Sequence, residues 1–226
     1  MFDVLSLAFV AQSVLPQVHP GRLVEAYRTD APSLVRCVND TPATFLLAHR
    51  GSWTDTDRPQ NSLSALKDAA ELPVFIEFDV RNTRDNQVIV LHDEVLDRET
   101  TGTGPVSMHS ASEITALQLR NSQGQPVDEH PALLVKVLEQ IGDTALLMLD
   151  LKGGDIGPTL DLLEQYGALK SAAYVAYDLD QLRQVFQRHG ASIVFYRIDS
   201  LAEFRAVTEI APDLVQVVQL SNTLGL

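Results

Sequence analysis

From residue 44 onward, short apolar runs alternate with stretches of helical periodicity. TFLLAH (44–49) reads as a strand. NSLSALKDAAEL (61–72) follows as a helix, with Leu63, Leu66 and Ala70 recurring on one face and Asn61 placed to cap it. VFIEFDV (74–80) alternates strictly. Val74, Ile76, Phe78 and Val80 point one way, and Phe75, Glu77 and Asp79 point the other. QVIVLHD (87–93) comes after the turn signal Asp85-Asn86. Further on, PALLVKVLEQIG is helical, TALLMLDLK (144–152) is a strand and IGPTLDLLEQYG is helical. AAYVAY (172–177), LDQLRQVFQRHG and SIVFYR (192–197) continue the alternation, and LAEFRAVTEIA with DLVQVVQL (213–220) ends it.

About six strand–helix units in this order predict an α/β fold with a parallel sheet covered on both sides. The doubly wound sheet and the (β/α)8 barrel are the two candidates. No G-x-G-x-x-G follows an early strand, and no Walker-type loop is present; GTG at 102–104 lies in a polar segment and reads as a turn. Polar side chains instead gather at the C-terminal ends of successive strands: His49-Arg50, Glu77 with Asp79, His92-Asp93, and Asp150 with Lys152. In a barrel that end is the catalytic face. Residues 1–43 stand apart as an N-terminal extension, and 44–226 form the barrel domain. The polar segment at about 93–130 reads as an insertion, with S-x-x-E at Ser110–Glu113 predicting a capping box.

Composition narrows the partners. The chain has 226 residues, 45% of them hydrophobic, enough for one domain with a sizeable core. Its net charge of -13 disfavours nucleic acid and anionic membranes as main partners, and leaves room for an anionic small molecule held by local cations. The single cysteine, Cys37, permits no internal disulfide and reads as a small hydrophobe. No apolar run is long enough to span a membrane. The N-terminal stretch MFDVLSLAFVAQSVLPQ carries Asp3 where a signal peptide would carry Lys or Arg, so an amphipathic helix packed on the domain is expected, and a cytoplasmic location ahead of a periplasmic or secreted one.

Glu77 and Asp79 share one strand face, and Asp150 and Lys152 repeat the same spacing. Three carboxylates converging in a barrel mouth repel one another unless a cation lies between them, and all-oxygen ligands suit Mg²⁺ or Ca²⁺. The alternative is a salt bridge from Lys152 to Glu77 or Asp79. His49 and His92 each close an apolar run and so should sit at strand mouths. Two imidazoles flanking such a cluster suit phosphodiester cleavage, one activating the nucleophile and the other protonating the leaving oxygen, with Arg50 and Lys152 offsetting phosphate charge. His19, His109, His130 and His189 read as surface residues.

HRG at 49–51, PQNS at 59–62, EFDV at 77–80, T-x-D at 83–85, VLHDEVLDRETTGTGPV at 90–106 and LDLK at 149–152 together resemble the glycerophosphodiester phosphodiesterase family. The resemblance covers about 100 residues in the family's order. It implies a TIM-type barrel with a small insertion after the second strand, a divalent metal, and hydrolysis of glycerophosphodiesters to glycerol 3-phosphate and an alcohol. By motif, His49 and His92 would be the acid–base pair, and Glu77, Asp79 and Asp150 the metal ligands. Arg50 and Lys152, with Asn61, would bind substrate, whose own glycerol hydroxyl would attack first.

Three departures stand out. The family's helix-opening P-E-N is Pro59-Gln60-Asn61 here, the usual Glu of E-x-K is Asp150, and the family's closing motifs are missing. A barrel needs eight strands, so an incomplete barrel is expected, with a second copy of the chain as a possible cover for its open strands. A phospholipase of the phosphatidylinositol-specific C or sphingomyelinase D type, and a barrel that has lost activity, are the competing readings.

Overall fold

The computed structural model describes residues 46–54, 56–72, 74–169, 172–189, 194–196, 206, 209 and 210. Five strands run parallel in the order β1 (Leu47–His49), β2 (Phe75–Asn82), β4 (Leu146–Leu151), β5 (Ala173–Ala176) and β6 (Val194–Tyr196). The sixth, β3 (Val88–Val90), pairs antiparallel with the C-terminal end of β2, Val80 opposite Val90. Between the strands run α1 (Leu63–Ala70), α2 (Ala111–Thr115), α3 (Leu134–Ile141), α4 (Gly157–Gln165) and α5 (Leu179–His189). Among the described residues the sheet is open, with β1 and β6 at its edges. The extension 1–43 and the predicted strand 213–220 lie outside the described residues.

The predicted alternation of β2 is what separates core from site. Ile76, Phe78 and Val80 pack into the main apolar cluster with Leu147, Leu149 and Leu151 of β4 and with Leu66, Val137, Leu138, Leu160 and Leu163 of the helices. Phe78 and Ile76 are fully buried; truncating such a Phe costs about 3–5 kcal/mol. The opposite face of the same strands carries Glu77, Asp79 and Asp150. They are buried too, at 5%, 0% and 7% exposure, so the strand is not half-solvated but sealed on both faces.

QVIVLHD differs from its neighbours. Its hairpin partner is β2, across the turn closed by Asn86 N donating to Thr83 O, and it adds no strand to the parallel series. A crossover to a parallel strand needs a dozen or more residues, and Thr83–Gln87 is too short for one. The segment beyond β3 has an apolar cluster of its own, built from Ile89, Leu91, Leu96, Val106, Ile114 and Leu119. The capping box is formed as expected: Glu113 N donates to Ser110 Oγ at 3.3 Å and Ser110 N donates to Glu113 Oε2 at 2.7 Å.

Candidate active site

The parallel register builds half of the site. His49 stands opposite Glu77 and Asp79 opposite Asp150, so four side chains project from one sheet face near the C-terminal strand ends. Carboxylate oxygens of Glu77, Asp79 and Asp150 lie within 4.8 Å of one another. His49 Nε2 is 4.0 Å from Glu77 Oε2. Burial, followed by the charges of Asp79 and Asp150, pushes the Glu77 carboxyl from 4.5 up to about 7. The buried Asp150 Oδ1 accepts no hydrogen bond, and Asp79 Oδ1 has only the Lys152 ammonium 3.2 Å away. Lone pairs left over on a crowded, acidic, all-oxygen donor set fit a hard divalent cation.

Lys152 Nζ lies 2.5 Å from Asp150 Oδ2 and 3.2 Å from Asp79 Oδ1. The carboxylate cluster and the salt bridge, set out above as alternatives, therefore occupy the same place. Burial alone would lower the Lys152 pKa; hydrogen bonds with Asp150 and Tyr177 and the charge of Asp79 outweigh it and raise the pKa. The ammonium is thus fixed and half-buried beside the carboxylates, where a phosphate could meet it.

The turn after β1 is strained and braced. Arg50 has φ of 61° and Gly51 of 81°. A Cβ on Gly51 would meet the backbone of Ala65 at 2.8 Å, so glycine is required by contact as well as by φ. A non-glycine residue in the left-handed region costs about 1–3 kcal/mol, and the site secures Arg50 there: its backbone N–H donates to Glu77 Oε2 at 2.9 Å and its Nε lies 3.4 Å from Asp79 Oδ2. Asn61 also has φ of 61°, and its N–H donates to Arg50 O.

Asn61 does not cap α1. Ser62 does, its hydroxyl accepting from Ala65 N. The Asn61 amide turns instead to Asp79, donating to Oδ2 at 2.8 Å and accepting from the Asp79 N–H at 3.3 Å. The Asn61 carbonyl oxygen, which as a cap would accept from the first turn of the helix, accepts from the Asp79 N–H instead, and its NH₂ gains a charge-assisted bond to the buried carboxylate.

His92 is reached differently. It lies in the loop past β3 rather than at the end of a parallel strand. Leu91 N donates to Asp79 O, Arg81 Nε donates to His92 O, and Arg81 also reaches Lys152 O. His92 Nδ1 is 2.7 Å from Asp93 Oδ1. Arg98 grips Asp93 through two nitrogens and, with burial opposing and His92 assisting, draws its pKa down to about 2. An ionised Asp93 holds the proton on His92 Nδ1 and leaves Nε2 available. Burial, followed by the charge of Arg50, lowers the His49 pKa, with Asp79 opposing.

Sequence reading missed three contributors. Tyr177 donates to Asp150 Oδ2 at 2.9 Å and accepts from Lys152 Nζ at 2.8 Å. Glu99 receives the backbone N–H groups of His92 and Asp93. Arg81 braces the hairpin loop. Tyr177 closes an apolar strand run, the same signal that singled out His49; Glu99 and Arg81 carried none. His109 is partly exposed and His130 exposed, and they bond to the backbone carbonyls of Thr103 and Leu117, as surface residues would. His19 lies outside the described residues.

The described residues form an open parallel α/β sheet with acidic, basic and imidazole side chains gathered at its C-terminal edge. The model of the glycerophosphoryl diester phosphodiesterase family matches residues 49–223, and the chain belongs to that family. A glycerophosphodiester phosphodiesterase of Caldanaerobacter subterraneus subsp. tengcongensis is 37% identical over 114 residues, 49% of this chain and 46% of the relative. Human glycerophosphodiester phosphodiesterase 1 is 32% identical over 114 residues, 47% of this chain and 33% of the relative. The crystal structure of a glycerophosphoryl diester phosphodiesterase from Parabacteroides distasonis superposes with a TM-score of 0.64 at 18% identity, covering 85% of this chain and 65% of that one. The chain spans less than half the length of these two curated relatives. No helix among the described residues is long and apolar enough to cross a membrane.

Proposed function

We propose that this chain hydrolyses glycerophosphodiesters, releasing glycerol 3-phosphate and an alcohol, with Mg²⁺ or Ca²⁺ bound. The convergence of Glu77, Asp79 and Asp150 within 4.8 Å, next to His49, Arg50 and Lys152, carries the reading. A divalent ion held by the three carboxylates would supply Lewis-acid charge to a phosphoryl oxygen. Arg50 and Lys152 hold the phosphodiester, the first through its guanidinium and the second as a fixed point charge. His49 and His92 share the proton transfers: one takes the proton of the attacking hydroxyl, the other gives a proton to the departing alkoxide. Asn61 holds Asp79 in place through its two hydrogen bonds, which is its support for substrate binding.

The test is release of glycerol 3-phosphate from glycerophosphocholine with Mg²⁺, with Ca²⁺ and with chelator. Activity that survives chelation, or that appears only on phospholipid vesicles, overturns the assignment.

A further inference from the structure

Arg50, Gln60 and Glu99 form a chain of hydrogen bonds with a fixed direction. Arg50 Nη1 donates to Gln60 Oε1 at 2.7 Å, and Gln60 Nε2 donates to Glu99 Oε1 at 2.8 Å. A guanidinium only donates, so the Gln60 oxygen must face it and the Gln60 NH₂ must face an acceptor. Glu99 is that acceptor. Its other oxygen takes the N–H groups of His92 at 3.0 Å and Asp93 at 2.9 Å. The side chain is 4% exposed, and Arg98 lies 3.4 Å from Oε1. Three donors converging on one buried side chain call for an acceptor on both oxygens, which a carboxyl group offers; burial pushes its pKa up, and the Asp93 N–H and Arg98 work against that shift.

We propose that Glu99 is a positioning residue for the phosphodiesterase reaction: its carboxylate ties the phosphate-binding Arg50, through the Gln60 amide, to the loop that carries His92. This rests on the function proposed above. It also accounts for the neutral residue at position 60. A carboxylate there would face Glu99 at hydrogen-bond distance, and two such groups cannot both be charged without a large penalty. The charge that the family resemblance places on the helix-opening residue stands, in this chain, one hydrogen bond further back.

The polarity of the chain supplies the experiment. Three variants, E99Q, Q60E and the double variant Q60E/E99Q, are compared with the unmodified chain on glycerophosphocholine. In E99Q an amide NH₂ must face either the Gln60 NH₂ or two backbone N–H groups. The expected loss is about tenfold in kcat, the scale of one charge-assisted hydrogen bond, with KM changed less than about threefold. Q60E should lose a similar factor. The double variant reverses donor and acceptor between positions 60 and 99 and so restores the hydrogen bonds to Arg50, His92 and Asp93, giving up only the ion pair with the largely exposed Arg98; its kcat should return to within about threefold of the unmodified chain.

An E99Q kcat equal to that of the unmodified chain, or a double variant no better than the poorer single, overturns the proposal. If the unmodified chain releases no glycerol 3-phosphate, the function above fails on its own, and the relay is decided by NMR. The His92 and Asp93 amide protons should move upfield in E99Q and return in the double variant; amides that stay put overturn it. Should E99Q not fold, recovery of folding in the double variant supports the relay, and continued failure refutes it.

Discussion

His49 and His92 come to the same strand ends by different physical routes. His49 is placed by the sheet: it closes β1, stands in register with Glu77, and needs only the strained Arg50-Gly51 turn to clear the chain away. His92 is placed by side chains. No strand ends at it; Arg81, Glu99 and Asp93 hold its carbonyl, its amide and its ring in turn. A residue held by register is fixed by many backbone bonds acting together. One held by side chains depends on a few contacts, each open to a single substitution. Changes to what holds the first half in place should therefore act through folding, and changes to what holds the second through chemistry.

The largest expected effect would break the comparison if it were one-sided. His49→Ala and His92→Ala should each lower kcat by roughly 10²–10⁴-fold, the range for acid–base catalysis, and the double variant should add little because the pair acts as a unit. A loss confined to one of them would show that the two routes do not end in one site. Next comes Gly51→Ala, which should cost about 2–3 kcal/mol in urea unfolding, since φ of 81° and a 2.8 Å approach to Ala65 both oppose a Cβ. Arg98→Ala should behave in the contrary way. Folding stability should hold within about 1 kcal/mol, because Arg98 is largely exposed. Its kcat should fall about threefold to tenfold as Asp93 loses its clamp and His92 its fixed tautomer.

The smallest effect concerns pH. The Glu77 carboxyl, pushed from 4.5 up to about 7, keeps in the folded chain a proton that the unfolded chain releases. The folded state then binds more protons than the unfolded one across that interval. Its contribution to stability is full below about 4.5 and fades as pH rises toward 7. A divalent ion displaces this proton, so the thermal shift produced by Mg²⁺ or Ca²⁺ should be larger at about pH 8 than at about pH 6. Equal shifts would mean that the ion does not meet Glu77.

The amino-acid order by itself determined the alternation of β2, and with it that Ile76 and Phe78 enter the core while Glu77 and Asp79 face away, because side chains in an extended strand alternate wherever that strand is placed. It likewise determined the α/β order and the Ser110–Glu113 cap, each the product of a few neighbouring residues. Local pattern could not see which strands pair. Only the assembled sheet brought Asp79 beside Asp150 and His49 beside Glu77, and folded β3 back as a hairpin instead of adding it to the parallel series. Only packing could assign Asn61 to Asp79 and leave the cap to Ser62. Gln60, read along the chain, was a departure at one position; its meaning came from Glu99, 39 residues away and 2.8 Å distant. Contacts of that kind are set by the register and by the turns between strands, and no stretch of sequence carries them alone.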